Sequence, residues 1–432
     1  MREMSNTAHS ETGERIHKLL FILGNLVLLL YLCGKGPVLV ADSQQYISQS
    51  PLRTWAYPVF LTLLKLIAPM SFLSLAVLVQ NALVLITATV LCRQLTGMFQ
   101  LAKPTALLAY SITISPLLDS SLCPFCYGIG NLITSDALAY AAFLLLSAAG
   151  LHALIGPNLK NLIWLAALAV LGAALRPQLL FTYPLILFVV FLAWRKRVFR
   201  KTALTAGLLA LLVFHFLSAL GQRIYSGSVP SPFARQQLLS TVLFLSSPED
   251  VALFKNSPHS NVIRRIFALA EEKKIFAEYS LRAGNTTCDY YDLNFDRIAW
   301  DVLHQPLIGA CWPNKKYTEC MESLCDVYSE MLRVLLPRKV LKLCSLVFLR
   351  AVNSSSPALL LVFACAFWFM RLHKLRFNEN MFALMACLLA CSNFLVVSIS
   401  ALMEERYFIY TQPLLLSALL VLFNKWKQEL RT

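Results

Sequence analysis

The segment 41–61 combines residue types that can take a proton from an alcohol. Asp42 directly follows an apolar stretch, and Tyr46 and Arg53 come four and eleven residues later. If the segment begins as a helix, Asp42 and Tyr46 lie on one face, one turn apart. A carboxylate that is partly removed from water binds a proton more strongly, which suits a general base. The alternative is a helix-end acid that simply pairs with Arg53.

Three arginines at the edges of apolar stretches could hold a phosphate group: Arg53, Arg176 and Arg406. A guanidinium can donate two parallel hydrogen bonds to phosphate oxygens and stabilise the charge on a departing phosphate. Charged residues at such positions are costly, which makes them functional candidates. The alternatives are contact with lipid headgroups or pairing with a nearby acid, such as Glu404 or Glu405 beside Arg406.

The composition is that of a membrane protein. Hydrophobic residues make up 58% of the 432 positions and charged residues only 14%, whereas an average soluble domain has about 25% charged residues. The net charge of +15 lies in short basic clusters between apolar stretches. We therefore attribute this charge to membrane topology and predict no nucleic-acid partner.

Ten stretches are candidates for crossing the membrane. A hydrocarbon core about 30 Å thick needs roughly 20 apolar residues in a helix. The stretches are 19–40, 72–92, 104–120, 132–151, 160–175, 178–194, 202–221, 356–371, 381–401 and 407–424. The segment 340–352 is either a further span or an interfacial helix. The predicted fold is an all-α polytopic membrane protein with about ten transmembrane helices.

Basic clusters predict how the chain is oriented. The clusters at 195–201, 371–376 and 425–431 are separated by even numbers of predicted spans, so they share one side. The excess of lysine and arginine marks that side as cytoplasmic. Both termini are then cytoplasmic, and we take the bacterial inner membrane as the location.

This orientation places three polar segments on the outer face: 41–58, 119–131 and 222–338. We predict an N-terminal transmembrane module over 1–221, a mainly helical extracytoplasmic subdomain over 222–338, and a C-terminal transmembrane module over 339–432. Chemistry on the outer face must use residues from these segments.

Two other chemistries are possible in the outer segments. The first is disulfide formation, since these segments hold an even number of cysteines on a side where disulfides persist. The six cysteines are Cys123, Cys126, Cys288, Cys311, Cys320 and Cys325, and the sequence does not determine how they pair. Four acids are dense enough to bind a divalent cation: Asp289, Asp292, Asp296 and Asp301. A solvated loop with Arg282 and Arg297 nearby is the favoured interpretation of these acids, and metal dependence stays open.

Short motifs along the chain resemble those of the GT-C superfamily of membrane glycosyltransferases. The first is Asp42 with Tyr46, then Arg53 shortly before Tyr57. The others follow in the superfamily's order: Pro116 with Tyr127-Gly128 and Thr134-Ser135-Asp136, then Arg176-Pro177-Gln178-Leu179-Leu180, then Glu405-Arg406-Tyr407 before Gln412-Pro413. Each motif is short, and their common order carries the resemblance.

Within the superfamily, the chain resembles the group of protein mannosyltransferases and aminoarabinose transferases. This resemblance implies a function. Such enzymes transfer a sugar from a polyprenyl-phosphate donor to an acceptor on the outer face, here an envelope glycan or glycolipid such as lipopolysaccharide. It implies Asp42 as the general base of an inverting reaction and Asp119 or Asp136 as a second acid. Arg53, Arg176 and Arg406 would bind the donor phosphate, and the substrate-binding residues would be Tyr46, Tyr57, Glu405 and Tyr407. No cofactor is implied for certain, because only some branches use a divalent ion.

The sequence leaves two alternative functions open. A polysaccharide polymerase of the O-antigen type also has ten or more spans, but its catalytic arginines would lie in the large outer loop, at Arg282 or Arg297. A transporter or flippase of lipid-linked sugars would show inverted halves and broken helices. Movement of the sugar without a new covalent bond would identify it.

Overall fold

The structure is a computed structural model that describes residues 2–50, 53–118, 128–156, 158–195, 201–226, 233–282, 284–311, 317–353, 377–400 and 408–429. The described residues are almost entirely helical. Apart from one isolated bridge between Val38 and Leu132, they contain no β-structure. The prediction of an all-α fold is confirmed.

The first half of the chain folds into helices α1 (Arg2–Gly34), α2 (Ser43–Ile47), α3 (Ala56–Ile67), α4 (Phe72–Phe99), α5 (Lys103–Leu118), α6 (Asp136–Ile155), α7 (Leu159–Leu175), α8 (Tyr183–Arg195) and α9 (Lys201–Ser226). A 3-10 turn, Pro177–Thr182, joins α7 to α8. The amide proton of Asn161 is accepted by the Asn158 side chain at the start of α7, and Pro177 prevents this helix from continuing.

The second half contains α10 (Phe233–Phe244), α11 (Ser260–Glu272), α12 (Glu278–Arg282), α13 (Thr287–Asp296), α14 (Gln305–Cys311), α15 (Tyr317–Asn353), α16 (Phe377–Ser400) and α17 (Thr411–Glu429). A 3-10 turn, Pro248–Phe254, precedes α11, and a π-helical stretch, Arg297–His304, joins α13 to α14.

Among the residues that the structure describes, five segments are long and apolar enough to cross a membrane: Arg15–Gly34, Phe72–Phe99, Asp136–Ile155, Leu208–Ser226 and Asn378–Ile399. They match five of the ten predicted stretches. Two more predicted stretches correspond to shorter apolar helices, Leu159–Leu175 and Pro177–Leu192. The stretches 104–120 and 407–424 correspond to α5 and α17, and 356–371 lies outside the described residues.

The first hydrophobic core is built around α6, which is buried on nearly every side. This helix packs against α4, α7, α8 and α16. Small residues permit that close packing, since a Cβ at Gly150 would lie only 2.9 Å from a methyl group of Leu185. The central position of α6 matters because its first residue is Asp136.

A second core lies within α10 to α15, residues 233–353, which we call the middle helical unit. The disulfide Cys311–Cys320 joins α14 to α15, whereas Cys288 and Cys325 are buried thiols. Cys123 and Cys126 lie outside the described residues. The middle helical unit thus has a packed apolar interior of its own.

Helix α15 continues past residue 338, where we placed a domain boundary, so the segment 340–352 belongs to the same helix. Lys339 forms an ion pair of 2.6 Å with Asp250, which ties this part of α15 to the 3-10 turn before α11. Burial acts to raise the pKa of the Asp250 carboxyl, but its hydrogen bonds with Lys339 and Ser247 outweigh that effect and hold its pKa below the ordinary value.

Candidate active site

A backbone bridge brings the first loop against the segment that precedes α6. The amide of Val38 donates to the carbonyl of Asn131 over 2.8 Å, and the amide of Ile133 donates to the carbonyl of Val38 over 3.0 Å. The buried Asn131 side chain also donates to the carbonyls of Leu32 and Gly36. These bonds fix Asp42 and Asp136, which follow the two bridged segments, on the same side of the bundle.

The segment 128–135 packs against α4 and α5. A Cβ at Gly128 would lie 1.8 Å from the carbonyl oxygen of Leu117, so only glycine allows this approach. The amide of Ile129 donates to the carbonyl of Pro116 over 3.1 Å. From α4, the buried Gln80 side chain donates to the carbonyls of Gly130 and Leu132.

Asp136 lies at the N-terminus of α6 and is surrounded by hydrogen-bond donors. Its carboxylate forms an ion pair with Arg176 and accepts hydrogen bonds from the hydroxyls of Thr134 at 2.9 Å and Tyr410 at 3.4 Å. The side chains of Asp136 and Arg176 are only 9% and 15% exposed. A carboxylate also gains from the positive end of the α6 helix dipole. Asp136 is therefore held by one guanidinium and two hydroxyl donors.

Asp42 immediately precedes α2, and its carboxylate forms an ion pair with Arg53. Arg53 donates from Nε to Gln45 at 2.8 Å, and its guanidinium lies 5.0 Å from the centre of the Tyr46 ring. The Asp42 side chain is 40% exposed, whereas that of Arg53 is 11% exposed. Asp42 is thus paired with Arg53 and at the same time accessible, as a base must be.

Tyr46 links the two ion pairs. Its hydroxyl lies 3.2 Å from Oγ of Ser135, the residue before Asp136, while its ring makes a cation–π contact with the Arg53 guanidinium. The Tyr57 ring meets the Tyr46 ring edge-on at 5.0 Å, and the Tyr57 hydroxyl donates to Gln80 at 2.6 Å. We call the set Asp42, Tyr46, Arg53, Tyr57, Asp136, Arg176 and Tyr410 the two-pair cluster.

The end of α7 positions Arg176. Its amide donates to the carbonyl of Gly172 over 2.8 Å, and its backbone then turns to an extended conformation before Pro177. The residue before a proline is driven out of the helical region, which ends α7 here and directs the Arg176 side chain toward α6. The Arg-Pro sequence therefore ends α7 at the residue that pairs with Asp136.

Helices α7 and α9 anchor the loop that carries Arg53. The hydroxyl of Thr54 donates to the carbonyl of Leu175 over 3.0 Å. Gln222 on α9 accepts from the amide of Trp55 at 3.0 Å and donates to the carbonyl of Arg53 at 3.3 Å. The loop is therefore fixed to the residue that precedes Arg176.

The cluster unites Asp42, Tyr46, Arg53, Tyr57, Asp136 and Arg176, which the sequence analysis named as site residues. Asp119, Glu405, Arg406 and Tyr407 lie outside the described residues. Sequence reasoning missed Tyr410, Gln80 and Gln222. Polar side chains inside or beside apolar stretches were the available signal for Gln80 and Gln222, and Tyr410 stands three residues after the motif tyrosine Tyr407.

Three of the four acids between 289 and 301 have side-chain partners in the structure. Asp292 pairs with Arg350 and Asp301 with Lys273, while Asp289 accepts from the Thr286 hydroxyl. Within the described residues, no three histidine, cysteine, aspartate or glutamate side chains are grouped closely enough to hold a metal ion.

Comparisons of the chain with family models, with curated proteins and with solved structures gave no match.

Proposed function

We propose that the chain is a GT-C-type glycosyltransferase that moves a sugar from a polyprenyl-phosphate donor to an envelope glycan or glycolipid acceptor. The observation that carries this proposal is the two-pair cluster. Two carboxylates and two arginines from separate parts of the chain meet beside three tyrosines. A reaction that removes a proton from an alcohol and releases a phosphate anion can use a carboxylate as the base and arginines to stabilise the anion.

Asp42 is the better candidate for the general base. Its side chain is 40% exposed, whereas that of Asp136 is 9% exposed and already accepts from Arg176, Thr134 and Tyr410. A base must reach the acceptor hydroxyl within about 2.6–3.2 Å, which requires an accessible oxygen. The role that fits Asp136 is to orient Arg176.

In the proposed reaction, Asp42 takes the proton from the acceptor hydroxyl as its oxygen bonds to the anomeric carbon. The bond from that carbon to the phosphate oxygen breaks on the opposite side, which inverts the anomeric configuration. The departing phosphate takes the bonding electron pair, and Arg53 and Arg176 stabilise its charge.

The proposed setting is a multi-pass protein of about ten spans in a bacterial inner membrane, with both termini cytoplasmic. Five apolar helices support a place in the bilayer. The disulfide Cys311–Cys320 supports an extracytoplasmic position for the middle helical unit, because disulfides persist in oxidising compartments. The two-pair cluster would then face the same side.

The proposal is tested by the transfer of labelled sugar from membranes to envelope glycan, comparing wild type with Asp42→Asn at equal expression. Asp301→Asn is the matched control, because Asp301 is also paired with a cation and its side chain is 38% exposed. We expect Asp42→Asn to lower transfer by about 10²–10⁴-fold, the usual contribution of a general base. The control should keep wild-type transfer.

Two outcomes of this assay would contradict the proposal. Loss of transfer in Arg297→Gln with full transfer in Asp42→Asn would favour the polysaccharide polymerase. Movement of labelled lipid-linked sugar across the bilayer without any new glycosidic bond would favour a transporter.

A further inference from the structure

A chain of side-chain hydrogen bonds runs from Arg176 into the C-terminal helices. Nε of Arg176 donates to Oε1 of Gln178 over 3.3 Å, and Nε2 of Gln178 donates to Oδ1 of Asn393 over 2.8 Å. Nδ2 of Asn393 donates in turn to Oγ1 of Thr411 over 3.3 Å. We call Gln178, Asn393 and Thr411 the amide chain.

The amide chain is buried at its far end. Asn393 is 0% exposed and Thr411 is 1% exposed, in helices whose other buried residues are mostly apolar. A buried amide is unfavourable unless its polar atoms find partners. Gln178 provides such a partner, because the 3-10 turn that carries it packs against α16. The chain therefore joins the Arg176 guanidinium to two helices from the other end of the sequence.

We propose that Gln178, Asn393 and Thr411 are positioning residues that orient the Arg176 guanidinium for phosphate binding; this rests on the function proposed above. The guanidinium is held at two places, with Nη1 on Asp136 and Nε on Gln178. Two parallel hydrogen bonds to a phosphate require a fixed orientation of the planar fork. An amide acceptor fixes that orientation without adding negative charge, so the attraction of Arg176 for a phosphate is preserved.

The first test is Gln178→Glu. The new carboxylate can still accept from Arg176, and the chain can reverse, with Asn393 donating to Glu and the Thr411 hydroxyl donating to Asn393. The bonded chain is kept, but a negative charge now lies against the guanidinium. We expect the affinity for farnesyl phosphate to fall about tenfold, on the scale of one hydrogen bond to a charged group. The affinity for farnesol, which has no phosphate, should not change.

The second test is Asn393→Leu, which breaks the chain without adding charge. We expect weaker binding of farnesyl phosphate, and little further weakening when Arg176→Lys is added, because both changes act on the same contact. Asn424→Leu is the control, since Asn424 also carries a buried amide but lies outside the amide chain, on α17. Binding is measured by titration of the purified full chain in detergent, with thermal unfolding recorded in parallel.

Wild-type affinity for farnesyl phosphate in folded Gln178→Glu and Asn393→Leu would overturn the inference and leave the amide chain as a packing feature. A wild-type chain that binds farnesyl phosphate no better than farnesol would instead contradict the proposed function itself. The two failures are therefore distinguishable in one titration series.

Discussion

Asp42 and Asp136 carry the same side chain in different surroundings. Asp136 is nearly enclosed and accepts from three donors, whereas Asp42 has one arginine and an accessible face. Burial of a charge is tolerated only when the charge is paired and hydrogen-bonded. Asp136 is therefore the enclosed acid of the pair, and Asp42 is the accessible one.

Asp136→Asn should destabilise the protein, because it leaves the Arg176 guanidinium mostly buried without its anion. Removing one partner of a buried ion pair costs about 3–5 kcal/mol. Asp42→Asn should cost less than about 1 kcal/mol, since the Asp42 side chain is 40% exposed. Thermal unfolding of the two purified variants measures the difference. Equal unfolding temperatures would contradict the distinct roles.

At the scale of elements, the segment 128–135 is a rigid support for the N-terminus of α6. It is held by the bridge to Val38, by Gln80 on α4 and by the close approach of Gly128 to Leu117. A shift of this segment would move Ser135 away from Tyr46 and separate the two ion pairs.

Gly128→Ala should lower sugar transfer strongly, because the added methyl would lie 1.8 Å from the Leu117 carbonyl oxygen and must displace backbone. Gly97→Ala is the matched control, since nothing lies within 4 Å of its added Cβ and alanine favours a helix. Transfer per folded molecule measures the effect. Full activity in Gly128→Ala would show that the segment adjusts freely.

The C-terminal end of α16 is held by the middle helical unit. Arg350, which is 1% exposed, pairs with Asp292 and donates to the carbonyl of Ser398. The hydroxyl of Thr241 donates to the carbonyl of Ile399 over 2.6 Å. The last carbonyls of a helix lack partners within it, and a cation near them is favourable. These contacts hold the C-terminal end of α16 against the middle helical unit.

Asp292→Asn should destabilise the protein, because it leaves the buried charge of Arg350 without its anion. Adding Arg350→Met should recover part of the loss, since the buried charge itself is then removed. Thermal unfolding of the two single variants and the double variant forms the cycle. A double variant that loses as much as the two single variants combined would contradict coupling between Asp292 and Arg350.

For the whole molecule, the sequence predicted local features better than contacts between residues far apart in the chain. Pairing of Asp42 with Arg53, two residues of one short loop, was one of the two alternatives that the sequence offered, and the apolar stretches located the long apolar helices. The pairing of Asp136 with Arg176, and the contact with Tyr410, depend on which helix ends meet in three dimensions. Hydropathy does not carry that information, because every apolar helix fits the bilayer equally well.

The disulfide Cys311–Cys320 allows the orientation of the whole molecule to be tested. After reduction, a membrane-impermeant maleimide applied from outside spheroplasts should label these two cysteines. The variant with both changed to serine should lose that label, which identifies the labelled sites. Labelling that requires permeabilised membranes would place the middle helical unit on the cytoplasmic side.

If the two ion pairs form one catalytic centre, sugar transfer by the purified chain should reveal it in three variants: Asp42→Asn, Arg176→Lys and both changes together. Arg176→Lys keeps a cation for Asp136 but loses the planar fork. Residues that act as a unit give non-additive losses. We expect each single variant to lose most of the transfer and the double variant to be little worse than the poorer single variant. Wild-type transfer by folded Asp42→Asn, or losses that multiply in the double variant, would contradict it.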